Sequence, residues 1–200
     1  MRNKSKSQRG FTVIELLIAT AVFSVVLLVF VTSFLRLSEL FYKGVNLTNT
    51  QESARNMIQS ISSDIQFYNQ APQVFPSENY FCIGTHRYTY VPYVQYDPSS
   101  SSAIGMIKEN LPNCVSPTIQ PANLRNGQEM LDPGMQINKM IITCNASGLC
   151  SVSTHLVYYS NDPTVLSPSS IDPAALCTGP ASSTQFCATA DYSSTILQNW

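Results

Sequence analysis

Glu15 is the first residue of this chain that demands a chemical explanation. It is the only charged side chain between Phe11 and Leu35, a run otherwise built from apolar and hydroxyl residues. A carboxylate at the centre of a membrane-spanning helix costs about 2.5–3.5 kcal/mol, so such a group is a functional candidate by default. The residues before the run have the opposite character. Met1 to Gly10 contains Arg2, Lys4, Lys6 and Arg9 and no acid. The two stretches meet at Arg9-Gly10-Phe11-Thr12-Val13-Ile14-Glu15-Leu16.

Cysteine is the second chemically capable residue type. Cys82, Cys114, Cys144, Cys150, Cys177 and Cys187 all lie beyond the apolar run. An even number in that place reads as up to three disulfides in an oxidising compartment. Six cysteines allow 15 connectivities, and spacing alone does not select one. Pairing of sequence neighbours is preferred: Cys82 with Cys114, Cys144 with Cys150, Cys177 with Cys187. No Cys-x-x-Cys pair exists and the two histidines stand at no usual ligand spacing, so no metal site is expected. His86 and His155 each fall inside a strand-like segment. The chain has no Gly-x-Ser-x-Gly turn and no phosphate-cradling glycine loop. No set of catalytic roles can be assigned, so neither an enzyme nor a cofactor is expected.

These groups are positioned by two kinds of element. About 20 apolar residues span a bilayer, and the run from Phe11 to Leu35 meets that length. Positive charge before the span places the N-terminus in the cytoplasm and the rest of the chain outside. Beyond the span, Leu37, Leu40, Phe41, Val45, Ala54, Met57, Ile58, Ile61 and Ile65 recur at helical steps, with polar residues between them. No proline interrupts the chain before Pro72, so one helix is expected to run from about Phe11 to Tyr68. After Pro72 the pattern turns to strands. Tyr80–Gly84, Arg87–Val91, Met135–Thr143, Ser151–Tyr159 and Ser194–Leu197 are expected strands. Asp97–Ser102 and Asn161–Pro173 are expected loops, and Leu111–Pro121 is expected to be irregular. The expected fold is α+β: a long N-terminal helix, membrane-spanning in its first half, packed on an antiparallel β-sheet head with disulfide-stapled loops. The expected parts are residues 1–10, a leader; 11–68, the helix (11–35 in the membrane, 36–68 amphipathic); and 69–200, the head.

The stretch from Gly10 through Phe11, Thr12, Val13, Ile14, Glu15, Leu16, Leu17 and Ile18 to Ala19 resembles the processing site and first helix of type IV pilins and pseudopilins. The resemblance implies that a prepilin peptidase cuts between Gly10 and Phe11 and methylates the new Phe11 amine. Glu15 would then lie one helical turn from that amine and meet the Phe11 amine of a neighbouring subunit during assembly. Implied partners are the peptidase, other pilin or pseudopilin subunits, an inner-membrane assembly platform, and membrane lipid before assembly. The implied location is the cytoplasmic membrane, crossed once with the head outside, and then an extracellular filament or pseudopilus. Many major pilins bend this helix with a proline, and this run has none. The segment Gln51 to Ile65 is similar to helix ends of minor pilins and pseudopilins. A minor pilin is therefore the preferred reading, with a pseudopilin of a secretion or DNA-uptake machine and a tip-displayed adhesin as alternatives.

The whole chain carries 11 basic and 12 acidic residues. Removing the leader with its four cations leaves 7 against 12, a formal charge of −5, which argues against general nucleic-acid binding. Asn46-Leu-Thr48 and Asn145-Ala-Ser147 match the glycosylation acceptor pattern. Tyr80, Phe81, Tyr88, Tyr90, Tyr93 and Tyr96 read first as cross-strand packing and second as an exposed receptor face. The leader junction generates the first prediction. Gly10→Ala blocks cutting, and mass analysis then finds the precursor and no chain beginning at Phe11.

Overall fold

The computed structural model describes residues 11–68, 70–100, 103–111, 113–114, 127–160, 163–179 and 184–197. Gly10 with its leader, and the 115–121 part of the proline-rich stretch, lie outside them. The chain divides into two compact units, Met1–Leu40 and Phe41–Trp200. Helix α1, Val13–Tyr68, supplies residues to both.

In the second unit, α1 buries Thr50, Ser53, Ala54, Met57, Ile58, Ile61, Asp64 and Ile65. Their spacing of mostly three or four residues makes one face, as the apolar period requires. That face packs with Phe81, Ile83, Tyr88, Met106, Met135, Ile137, Val152, Leu156 and Ile196 in one core.

Two antiparallel sheets supply those partners. The first has the order β1-β2-β3-β4-β5, with β1 Gln73–Phe75, β2 Tyr80–Ile83, β3 His86–Tyr90, β4 Met106–Asn110 and β5 Gln128–Glu129. The second has the order β10-β7-β6, with β6 Met135–Cys144, β7 Leu149–Tyr159 and β10 Cys187–Leu197. A two-stranded ribbon joins β8, Leu166–Ser167, to β9, Leu176–Cys177. The fold is thus a long apolar N-terminal helix packed on antiparallel sheets, α+β.

Strand alternation explains how β7 serves two cores. Cys150, Val152 and Leu156 belong to the core beneath α1. Val157, on the opposite face, packs with Val165, Leu166, Ala175 and Cys187 under the segment that follows β7. The three disulfides each join sequence neighbours: Cys82–Cys114, Cys144–Cys150 and Cys177–Cys187.

Several elements differ in extent from the sequence expectations. The last strand begins at Cys187, not near Ser194, and pairs along eleven residues of β7. The expected loop at 161–173 contains a 3-10 turn, Pro163–Val165, and the short β8. The strand β4 was not anticipated. Of the tyrosine cluster, Tyr80, Phe81 and Tyr88 are buried, and Phe81 stacks on Tyr88 with centroids 4.8 Å apart. Tyr80 stacks on Phe75 at 4.6 Å. These three rings belong to the sheet interior.

The β2–β3 hairpin turns through Gly84 and Thr85. Gly84 has φ +58°, and a Cβ built on it would lie 2.2 Å from the Tyr68 ring at the end of α1. Gly84→Ala therefore meets both backbone strain and a collision, and destabilises the head by about 2–3 kcal/mol in denaturant titration.

Candidate processing and assembly site

From Phe11 to Leu35 every side chain stands exposed in the isolated chain. Among the described residues α1 is the one helix long and apolar enough to cross a membrane, and none of its most apolar stretch is buried. Hydrocarbon offers no hydrogen-bond partners, so the polar atoms of such a helix must be satisfied within the protein. The hydroxyls meet that condition. Thr20 donates to the Leu17 carbonyl at 3.0 Å, and Ser24 to the Thr20 carbonyl at 2.7 Å. Thr32 donates to the Leu28 and Val29 carbonyls at 3.0 Å, and Ser33 to Val29 at 2.8 Å.

Glu15 is satisfied at the helix start. The Thr12 amide and the Thr12 hydroxyl both donate to Glu15 Oε2, each at 2.9 Å. The Glu15 amide donates to Thr12 Oγ1 at 3.3 Å. The Leu16 amide donates to the Thr12 carbonyl at 3.2 Å, which makes Thr12 the N-cap and Val13 the first helical residue. This is a capping box, in which cap and third residue exchange bonds and fill orphan donors. Its Thr-x-x-Glu spacing is visible in the sequence, from Thr12 to Glu15. The carboxylate also sits at the positive end of the helix dipole, which favours it there. Phe11 precedes the cap and is fully solvent-facing. Thr12 and Glu15 are thus brought together, with Phe11 exposed before the cap, whereas Gly10 lies outside the described residues.

The head holds a second polar constellation, on the last turns of α1. Asp64 Oδ2 accepts from His86 Nδ1 at 2.6 Å, from Lys108 Nζ at 2.9 Å, and from the Tyr88 hydroxyl. Burial, together with the Asp64 carboxylate, pushes the Tyr88 hydroxyl well above the usual phenol range. Lys108 also reaches Ser60 Oγ at 3.4 Å. On the opposite face of β3 and β4, Arg87 pairs with Glu109 at 2.7 Å. The residue types at Asp64 resemble an acid–base site, but both carboxylate oxygens are already held, and the group links α1 to β3 and β4. His155 is engaged on both ring nitrogens, with Asp191 Oδ1 at 2.8 Å and the Ala175 carbonyl at 2.9 Å. Neither histidine faces a nucleophile. Among the described residues no cluster of three metal-type ligands occurs. A groove of about 580 Å³ lies open between Gln51, Glu52, Arg55 and Gln59 of α1 and Asp191 and Tyr192 of β10.

Residues 5–31 match the family model for the prokaryotic N-terminal methylation motif. No curated protein and no solved structure matches the chain. The matched motif identifies the type IV pilin-like and pseudopilin family. The chain thus carries the N-terminal methylation motif of type IV pilin-like proteins over residues 5–31.

The Asp64 constellation generates a stability prediction. Asp64→Ala leaves the Lys108 ammonium and the Tyr88 hydroxyl without their shared acceptor, and lowers head stability by about 3 kcal/mol in denaturant titration.

Proposed function

We propose that this chain is a minor type IV pilin-like subunit that waits in the cytoplasmic membrane, is cut after Gly10, and enters a filament through its apolar helix. The observation that carries the proposal is the methylation motif at residues 5–31 on a helix whose apolar side chains from Phe11 to Leu35 have no partners in the chain. Assembly would bury those side chains against other helices as the subunit leaves lipid. The methylated Phe11 amine of one subunit would meet Glu15 of the next. Residues 1–10 are the leader in this reading, 11–68 the assembly helix and 69–200 the exported head. Three disulfides and no free cysteine support an oxidising, extracytoplasmic setting for the head. "Minor" rests on that disulfide-rich head and on the likeness of Gln51–Ile65 to minor-pilin helix ends.

Prepilin peptidase and other pilins are the partners that the family implies; an assembly platform in the inner membrane completes the set. A pseudopilin of a secretion or DNA-uptake machine shares the same motif. Co-purification with pilus or with secretion components separates the two.

Glu15→Ala tests the assembly step apart from the cut. The variant is cut to a chain beginning at Phe11, because Gly10 and the peptide bond are intact. It is then lost from sheared filaments, read by immunoblot of the filament and membrane fractions. Wild-type incorporation would show that the carboxylate is dispensable.

A further inference from the structure

Two asparagines in this chain stand in an Asn-x-Ser/Thr pattern, and the structure treats them differently. Asn46 lies within α1. Its Nδ2 donates to the Gln185 carbonyl at 3.0 Å, and the hydroxyl of Thr48 donates to the Gly44 carbonyl at 2.9 Å. Both groups that the pattern needs are occupied by the fold. Asn145 lies at the tip of the β6–β7 hairpin, exposed, next to the Cys144–Cys150 bridge. Its Oδ1 accepts from the Ser147 amide at 3.1 Å, the Ser147 hydroxyl at 2.7 Å and the Leu149 amide at 2.9 Å. Its backbone closes the turn, with the Gly148 amide donating to the Asn145 carbonyl at 3.1 Å and the Asn145 amide to the Leu149 carbonyl at 3.0 Å. Gly148, at φ +78°, supplies the left-handed residue that the turn requires.

The consequence is chemical. An asparagine carboxamide has an oxygen that accepts and a nitrogen that donates. Here three donors hold the oxygen and fix the amide plane, and Nδ2 of this exposed residue has no hydrogen-bond partner among the described residues. Donors on the oxygen draw charge from the amide and make the nitrogen easier to deprotonate. The hydroxyl of the third residue, the defining group of the acceptor pattern, is already on Oδ1.

We propose that Asn145 is an N-linked glycan acceptor. The donor is a glycan activated as a lipid-linked diphosphate on the outer side of the membrane. Nδ2 loses a proton and attacks the anomeric carbon; a C–N bond forms, the carbon–oxygen bond to the diphosphate breaks, and the lipid diphosphate leaves. The proposal rests on the outward placement of the head given above. It adds a covalent surface group at one end of the sheet formed by β6, β7 and β10.

The test uses the full chain recovered from its own host, digested and sequenced by mass spectrometry. The expected result is a glycan on the peptide containing Asn145 and none on Asn46. Asn145→Asp keeps an acceptor oxygen for the turn but lacks the amide nitrogen, and abolishes the modification. Ser147→Ala also abolishes it, and Ser147→Thr retains it. Full pairing of the six cysteines, read in the intact mass, confirms that each variant folds. An unmodified Asn145 in the wild-type chain overturns the proposal. So does a sugar that survives Asn145→Asp, because it must then sit on a hydroxyl. The same digest reports the N-terminus. Methylated Phe11 beside a bare Asn145 removes the glycan and keeps the pilin reading; a chain still beginning before Gly10 removes the pilin reading itself.

Discussion

Between Phe11 and Leu35 a polar atom has no partner except the helix that carries it. That constraint explains why this run tolerates five hydroxyls and one carboxylate. Thr20, Ser24, Thr32 and Ser33 each return a hydrogen bond to a carbonyl three or four residues back. Thr12 caps the helix, and Glu15 is the group it shares the cap with. A carboxylate in mid-helix would have only solvent or another molecule to turn to. Placed at the third helical residue, it fills donors that the first turn leaves orphaned. The acid thus has a self-contained state, available to a lone subunit. In the proposed filament the cap would be exchanged for the amine of a neighbour, so one side chain would serve both a stored and an assembled form.

Within the second unit the same helix obeys a different rule. From Thr50 to Ile65 one face is buried and the other is polar, and the buried face organises both sheets. The apolar packing there fixes which face of the helix is buried, but hydrophobic contact alone is non-directional. Asp64 supplies direction. Three donors from two strands converge on its carboxylate, and the Tyr68 hydroxyl meets Thr85 Oγ1 at 2.7 Å across the next turn. Gly84 leaves room for the Tyr68 ring against the hairpin. Removing one partner of such a buried group costs more than forming the group gains, which makes the cluster a determinant of register.

Much of this was legible in the sequence, and the failures have identifiable causes. The helix was readable because an unbroken apolar run passes into a three-and-four-residue stripe with no proline, and β6 and β7 because β-branched residues alternate around a cysteine-closed turn. The strand β4 was not. Met106-Ile-Lys-Glu-Asn110 has two adjacent charges, which look like a solvated loop until Asp64 and Arg87 are seen opposite Lys108 and Glu109. The first half of β10, Cys187-Ala-Thr-Ala-Asp191, has small side chains of weak strand preference. It is a strand because β7 presents a long partner edge, and tertiary pairing overrides local preference there. The cap is harder to see: the spacing of Thr12 to Glu15 is a helix-start signature, but an acid in a greasy run invites the question of its partner outside the helix before the one beside it.

The disulfides make the stability of the head depend on an oxidising environment. Its central core is formed by one helix face against both sheets, but β1, β5, β8 and β9 span only two or three residues each and add nothing to that core. Closing loops with sequence separations of 32, 6 and 10 residues restricts the unfolded chain. In the chain-entropy account such bridges contribute about 2–4 kcal/mol apiece. Together that is comparable with the whole net stability of an ordinary domain, roughly 5–15 kcal/mol. Cys177–Cys187 fastens β9 to the start of β10 above the second core, and Cys82–Cys114 ties β2 to the segment beyond β4. A reducing environment would withdraw those links from the edges, where packing is thinnest. The apolar helix needs only lipid or other helices to be satisfied, whereas the head also needs oxidant. A chain with both requirements is suited to a membrane whose far side is oxidising, and its two units make that demand through independent physics.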